Sequence, residues 1–163
     1  MKRTQFNSKS GKVYDLALDI TKVKAVQKHC GVNLNELATA APVLGSDVVK
    51  LVDTLWLICR AQAEALEVDD ETFGRDFDGD SIEAASTALM YAMAEWTSSD
   101  RREQAVAFVD KMVGHQKALA KAATEALESG SVDAALDAQL QAFTGTFSKL
   151  RAATAPVASK LIN

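Results

Sequence analysis

Alternating apolar and polar residues at the N-terminus give way to helical spacing along the rest of the chain. In residues 12–18 every second position holds a large apolar side chain, and Gly11 supplies a turn before them. This pattern predicts a β-hairpin with arms at residues 3–7 and 12–18. Because a hairpin alone is marginally stable in water, we expect it to pack on the short helix that follows.

Capping residues and breakers mark the first helices. Asp19 or Thr21 caps a helix that ends at Gly31, and a second short helix covers residues 34–41 and ends at Pro42. The chain is therefore expected to continue from the hairpin into two short helices.

A longer helix opens at residues 45–47 and is apolar around most of its circumference over residues 48–59. A helix with this pattern is central in its domain or is covered by a partner. We expect it to supply much of the core, and any exposed part of it is a candidate interface.

The stretch of residues 73–83 joins two predicted helices and is dense in carboxylates. Asp69 or Asp70 caps the short helix before it, which directs Phe73 and Phe77 to the core. The helix after it is expected to begin at an Asp80 or Ser81 cap, since residues 80–83 have the spacing of a capping box. It then presents one apolar face as far as Trp96.

The C-terminal third is alanine-rich and helical in pattern. Only Gly114 interrupts the spacing from residue 101 to about residue 128, and Gly130 with Ser131 separates this helix from a last one. These two helices are expected to pack against each other as an antiparallel hairpin. We place a domain boundary between residues 1–98 and residues 99–163, the second part being an arm or an assembly surface.

The predicted fold class is mainly α, with an N-terminal β-hairpin packed on a helical bundle and a C-terminal antiparallel helical hairpin. Aromatic residues make up 6% of the chain, so Leu, Val and Ala must supply most of the core. The side chains expected to be central share large size and helical or strand periodicity: Val26, Val52, Leu55, Trp56, Phe73, Phe77, Ile82, Leu89 and Trp96.

Composition limits the classes of function. The net charge of −4 is too small to indicate nucleic-acid binding, and the N-terminal lysines lack an aromatic platform for bases. The two cysteines, Cys30 and Cys59, are typical of free thiols in a reducing compartment. No signal peptide or membrane-spanning run is present, so we expect a soluble cytoplasmic protein.

Charge is distributed unevenly along the chain. Residues 1–28 hold seven basic groups against two acidic, whereas residues 64–83 hold nine acidic groups against Arg75 alone. This polarity could support head-to-tail self-association or steer a charged partner. Alternatively, the basic and the acidic segment are simply two solvated faces of a monomer.

Candidate catalytic and metal-binding motifs fail on their spacing. Residues 76–80 resemble the start of a calcium loop, but Ser81 and Thr87 occupy the positions that need Gly and Glu. Nothing in the sequence desolvates one carboxylate of this loop and not another, as acid–base catalysis requires. His29 beside Cys30 is a weak sign of a nucleophilic site. We expect a non-enzyme without metal or cofactor.

Four short motifs follow one another along the chain: SKSGKVYDLAL at 8–18, VKAVQKHCGVNL at 23–34, LVDTLWLIC at 51–59 and FGRDFDGDSIEAA at 73–85. This succession resembles the tail assembly chaperones of long-tailed bacteriophages, which are encoded beside the tape measure gene. The resemblance covers roughly residues 5–100.

The resemblance implies a mostly helical protein that coats the tape measure protein and recruits tail tube subunits during assembly. It implies self-association, a place in the cytoplasm of the infected host, and absence from the mature virion. The alternative is a small phage or prophage regulatory protein that binds a host protein through the acidic loop. Candidate protein-binding residues are Lys22, Lys24, Lys28, Trp56, Asp76, Asp78 and Asp80.

Overall fold

The protein is mainly helical with an N-terminal two-stranded antiparallel hairpin, which confirms the predicted fold class. The computed structural model describes residues 2–128. The second helix of the predicted C-terminal hairpin lies outside the described residues. The elements in chain order are β1 Gln5–Asn7, β2 Val13–Asp15, α1 Ile20–Cys30, α2 Leu37–Ser46, α3 Val48–Ala65, α4 Asp70–Arg75, α5 Gly79–Trp96 and α6 Ser99–Glu128.

The hairpin follows the predicted alternation. Phe6 pairs with Tyr14 across the two strands, and both side chains are completely buried, as is that of Leu16. The turn closes through the Ser8 N–H, which donates to the Lys12 carbonyl at 2.8 Å. Gly11 adopts a φ of 83°, a left-handed conformation that glycine accepts without steric cost.

The hairpin packs on α3 and α5, so the prediction that it packs on α1 was wrong. Its backbone is tied to α3 by Gln62, whose Oε1 accepts from the Asp15 N–H at 2.9 Å and whose Nε2 donates to the Asp15 carbonyl at 2.7 Å. A side-chain amide thus satisfies backbone groups of β2 that a further strand would otherwise pair. Helix α1 packs against α3 instead.

Several helix ends lie where capping residues placed them. Asp19 caps α1 by accepting from two backbone N–H groups, and Gly31 ends it with a φ of 68°. Asp69 caps α4 through the Thr72 N–H. These signals are local, so the sequence narrowed each N-cap to two candidates, and the structure shows the first of each pair.

Helix α2 differs from its prediction because Pro42 lies inside it. A proline at this position removes a hydrogen bond to the carbonyl of Ala38 and normally ends or kinks a helix. Here the helix continues far enough to bury Leu44, and α2 packs against both α3 and α5. Tertiary packing therefore overrides the local breaker.

Helix α5 is capped by Asp78, so the predicted Asp80 or Ser81 cap was wrong. Asp78 Oδ1 accepts from the Ser81 N–H at 2.9 Å, and the Asp78 N–H donates to Ser81 Oγ at 2.7 Å. This is a capping box that begins before the expected one. It leaves Phe77 just before the cap, where its ring packs against the core.

Five of the ten aromatic residues form one cluster, which we call the aromatic cluster. Phe73 is at its centre, with ring centroids at 5.2 Å from Tyr14, 5.2 Å from Phe77 and 5.4 Å from Trp56. Phe6 stacks on Tyr14 at 5.4 Å and on Phe77 at 5.8 Å. The cluster joins β1, β2, α3 and α4, together with the turn before α5.

The predicted core residues all belong to the main core. Val26, Leu55, Phe73 and Leu89 are buried completely or almost so, and the other five pack against it while partly exposed: Val52, Trp56, Phe77, Ile82 and Trp96. No helix within residues 2–128 is long and apolar enough to cross a membrane.

The contacts divide the chain into two compact units, residues 1–113 and 114–163. Within the first unit, Val109 of α6 is buried against Met90 and Ala94 of α5. The domain boundary expected after residue 98 stays a prediction, because a division by contacts does not measure whether either part folds alone.

Phe73→Ala is expected to lower the free energy of unfolding by about 3–5 kcal/mol, because it removes the ring that three other aromatic side chains contact. Phe108→Ala is the matched control, since Phe108 is 48% exposed. That exposed substitution should cost less than about 1 kcal/mol. Chemical denaturation followed by circular dichroism measures both. Equal losses would show that the aromatic cluster is not the centre of the core.

Candidate functional site

The three candidate lysines lie on α1 in two different situations. Lys22 is held at the start of the helix, where its Nζ donates to the Ala17 carbonyl at 2.6 Å and lies 3.9 Å from Asp19 Oδ2. Lys24 and Lys28 are exposed, and their side chains make no hydrogen bond or ion pair within residues 2–128. Of the three candidates, these two are therefore the cations available to a partner.

Trp56 lies at the edge of the aromatic cluster, half-buried, with its ring against that of Phe73. Part of the indole surface stays accessible to solvent. This position suits a core residue that also contributes part of its surface to a partner.

Asp76 is the centre of a polar network that we call the Asp76 network. Its carboxylate accepts from Ser8 Oγ and Ser10 Oγ, each at 2.6 Å, and from the Ser10 N–H at 2.8 Å. Lys12 Nζ lies 3.6 Å away, and the Lys9 N–H donates to the Asp76 carbonyl at 2.9 Å. The side chain is only 12% exposed. Asp76 thus fastens the hairpin turn to the segment after α4.

Burial raises the pKa of Asp76, but hydrogen bonds from Ser10 and Ser8 and the charge of Lys12 outweigh it, so the net pKa lies below its ordinary value. The carboxylate is therefore charged at neutral pH and fully engaged. A general acid would need the opposite shift.

The other two candidate aspartates have different environments. Asp78 is the cap of α5, and hydrogen bonds from Ser81 lower its pKa. Asp80 is exposed, and its side chain makes no hydrogen bond or ion pair within residues 2–128. The structure therefore gives two of the three acidic candidates a structural role and leaves Asp80 available. That the seven candidate residues bind a partner stays a prediction.

The cysteines differ in their surroundings. Burial raises the pKa of Cys59 to about 12, so its thiol stays protonated near neutral pH. Cys30 is half-buried at the end of α1. Within residues 2–128, no group of three or more His, Cys, Asp or Glu side chains is arranged to hold a metal ion.

A cleft of about 460 Å³ lies in the first unit, and sequence analysis did not anticipate it. It forms where the segment after β2 faces the last turn of α5. Trp96, expected only as a core residue, is one of its walls. The residues that line it are Lys2, Thr4, Asp15, Leu16, Ala17, Leu18, Ala92, Glu95 and Trp96.

Large apolar side chains are also exposed on helices. Val43, Val48 and Val49 are exposed where α2 meets α3. Val48 and Val49 belong to the 48–59 helix, and that this exposed part of it is an interface stays a prediction. In the second unit, residues 114–125 of α6 are all exposed, and Leu119 and Leu127 are 57% and 64% exposed. Exposed apolar side chains that share a helix face are typical of interaction surfaces.

Comparison of the chain with protein-family models, curated proteins and solved structures finds no match.

Asp76→Asn is expected to lower the free energy of unfolding by about 1–3 kcal/mol at neutral pH, because the hairpin turn loses a charged acceptor. The pKa of Asp76 is depressed in the folded protein, so its contribution is complete above its unfolded pKa of about 4 and is lost as pH falls through the folded pKa. The difference between the two proteins should therefore shrink as the pH falls from about 5 towards about 2.

Asp80→Asn is the matched control, since it removes the same charge from an exposed position in the same acidic segment. Urea denaturation at several pH values measures the free energy of unfolding of the unmodified protein, Asp76→Asn and Asp80→Asn. A loss in Asp76→Asn no larger than in Asp80→Asn, at every pH, would contradict the role of the Asp76 network.

Proposed function

We propose that the protein is a non-enzymatic binding protein that acts as a phage tail assembly chaperone, binding the tape measure protein and recruiting tail tube subunits. The observation that carries the proposal is the exposed apolar surface of α6 in the second unit. Leu119 and Leu127 lie about 80° apart around the helix and so share one face. A helix with such a face is suited to bind another helix through its apolar side chains.

The motifs behind the resemblance also support the proposal, because they meet in the fold. Tyr14 belongs to the first stretch, Trp56 to the third and Phe73 to the fourth, and the ring of Phe73 contacts both of the others in the aromatic cluster. A shared set of packing residues is what a common fold would require. In this proposal, the exposed helices on that fold bind the partner proteins.

In this proposal the protein acts in the cytoplasm of the infected host, associates with itself along the tape measure protein, and is absent from the mature virion. The alternative, a regulatory protein that binds a host protein through the acidic loop, has less support. Asp76 and Asp78 already use their carboxylates within the fold.

We expect the protein to co-purify with a fragment of the tape measure protein and to form concentration-dependent oligomers in sedimentation experiments. Leu119→Glu with Leu127→Glu should weaken binding to the fragment at least about tenfold, because two apolar anchors are lost. Glutamate is a good helix former, so the helix content should be unchanged by circular dichroism.

The matched control is Ala118→Glu with Lys121→Gln, which makes the same change in charge at exposed positions of α6 outside the face that holds Leu119 and Leu127. This variant should bind as the unmodified protein does. A protein that stays monomeric at high concentration and does not retain the fragment would refute the proposed function.

A further inference from the structure

The cleft between the segment after β2 and the last turn of α5 combines an apolar floor with a fixed aromatic wall. Leu16 and Ala92 are buried beneath it. Trp96 is half-buried, and its Nε1–H donates to Asn35 Oδ1 at 2.9 Å. This hydrogen bond holds the indole from its polar edge and leaves the ring as a wall of the cleft.

Carboxylates give the cleft a negative balance. Asp15 and Glu95 line it together with one cation, Lys2. Asp15 is already engaged, since its oxygens accept from Thr4 Oγ1 at 3.4 Å and from Gln5 Nε2 at 3.2 Å. Glu95 is exposed and makes no side-chain hydrogen bond or ion pair within residues 2–128. It is the carboxylate available to a ligand.

Lys2 is held only weakly beside the carboxylates of the cleft. Its Nζ lies 3.9 Å from Asp15 Oδ2, and its side chain is 76% exposed. An ion pair with that exposure contributes little free energy, so an incoming cation can displace Lys2 to solvent.

We propose that this cleft binds an arginine side chain of a partner protein. The aliphatic part of the side chain would lie on the floor of the cleft, the planar guanidinium would stack on Trp96, and Glu95 would accept its N–H groups. Arginine is preferred over lysine because its flat, weakly hydrated group stacks on an aromatic ring and pairs with a carboxylate at the same time. The occupant is an arginine side chain of the tape measure protein, so this inference rests on the proposed function.

The chain already contains one arrangement of this kind. Arg3 lies over the ring of Tyr91 at 5.2 Å, and its Nη1 is 3.1 Å from Asp110 Oδ1. An aromatic ring and a carboxylate thus hold an arginine within the same unit. The cleft offers the same two kinds of group, from Trp96 and Glu95, and no arginine is among the residues that line it.

The test uses a short alanine-rich helical peptide with one arginine and a fluorescent label, measured by anisotropy on the full chain. Three peptides serve as comparisons, with lysine, glutamine or citrulline in place of the arginine. Citrulline keeps the shape of arginine but lacks its charge. We expect the arginine peptide to bind most tightly and the citrulline peptide at least about fivefold more weakly.

Two substitutions locate the binding. Glu95→Gln and Trp96→Leu should each weaken the arginine peptide about threefold to fivefold. Glu83→Gln is the matched control, an exposed glutamate on the same helix outside the cleft, and should leave binding unchanged. In Trp56→Phe, Trp96 is the only tryptophan, and its fluorescence should change as the arginine peptide is added.

Equal binding of the arginine and citrulline peptides, or equal affinities of Glu95→Gln and Glu83→Gln, would overturn the proposal. So would loss of self-association in Glu95→Gln without an effect on peptide binding, since the occupant would then be a second copy. If the tape measure fragment binds Glu95→Gln normally, the arginine site fails and the proposed function stands. If the arginine peptide binds as expected but the tape measure fragment does not bind, the arginine site stands and the proposed function fails.

Discussion

The contacts of Phe73 hold together parts of the chain that are distant in sequence. Its ring touches Tyr14 of the hairpin, Trp56 of α3 and Phe77 beyond α4. Because a two-stranded hairpin cannot bury its own apolar face, β1 and β2 depend on this cluster for their stability. Burial of several large rings at one point also compensates for a core otherwise made mainly of Leu, Val and Ala.

The uneven charge of the chain has a structural explanation in part. The basic hairpin turn and the acidic segment after α4 meet at Asp76, where Lys12 and two serines surround one carboxylate. Some of the polarity that could drive head-to-tail association is therefore satisfied within one molecule. Among the charges that remain exposed are those of Lys24 and Lys28 on α1 and of Asp80 in the first turn of α5.

The sequence predicted features that depend on neighbouring residues and missed those that depend on distant ones. The hairpin and the Gly31 helix end are local signals, and both predictions were right. The cap of α1 was narrowed to Asp19 or Thr21, and the structure shows Asp19. At α5, two capping-box spacings compete within a few residues, and the sequence offers no basis for choosing Asp78 over Asp80. The partner of the hairpin, the Asp76 network and the cleft all join segments far apart in the chain, where spacing carries no information.

The Asp76 network has a consequence for how the chain acquires its structure. Ser8 and Ser10 bond a carboxylate 68 and 66 residues further along. Closing so long a loop carries an entropy cost that local helix formation does not, so α1 and α3 can pair before the hairpin finds its place. During synthesis the N-terminal strands must also wait until Phe73 and Asp76 have left the ribosome. The hairpin is thus fixed later than the helices that follow it, and until then its apolar face is open to other chains.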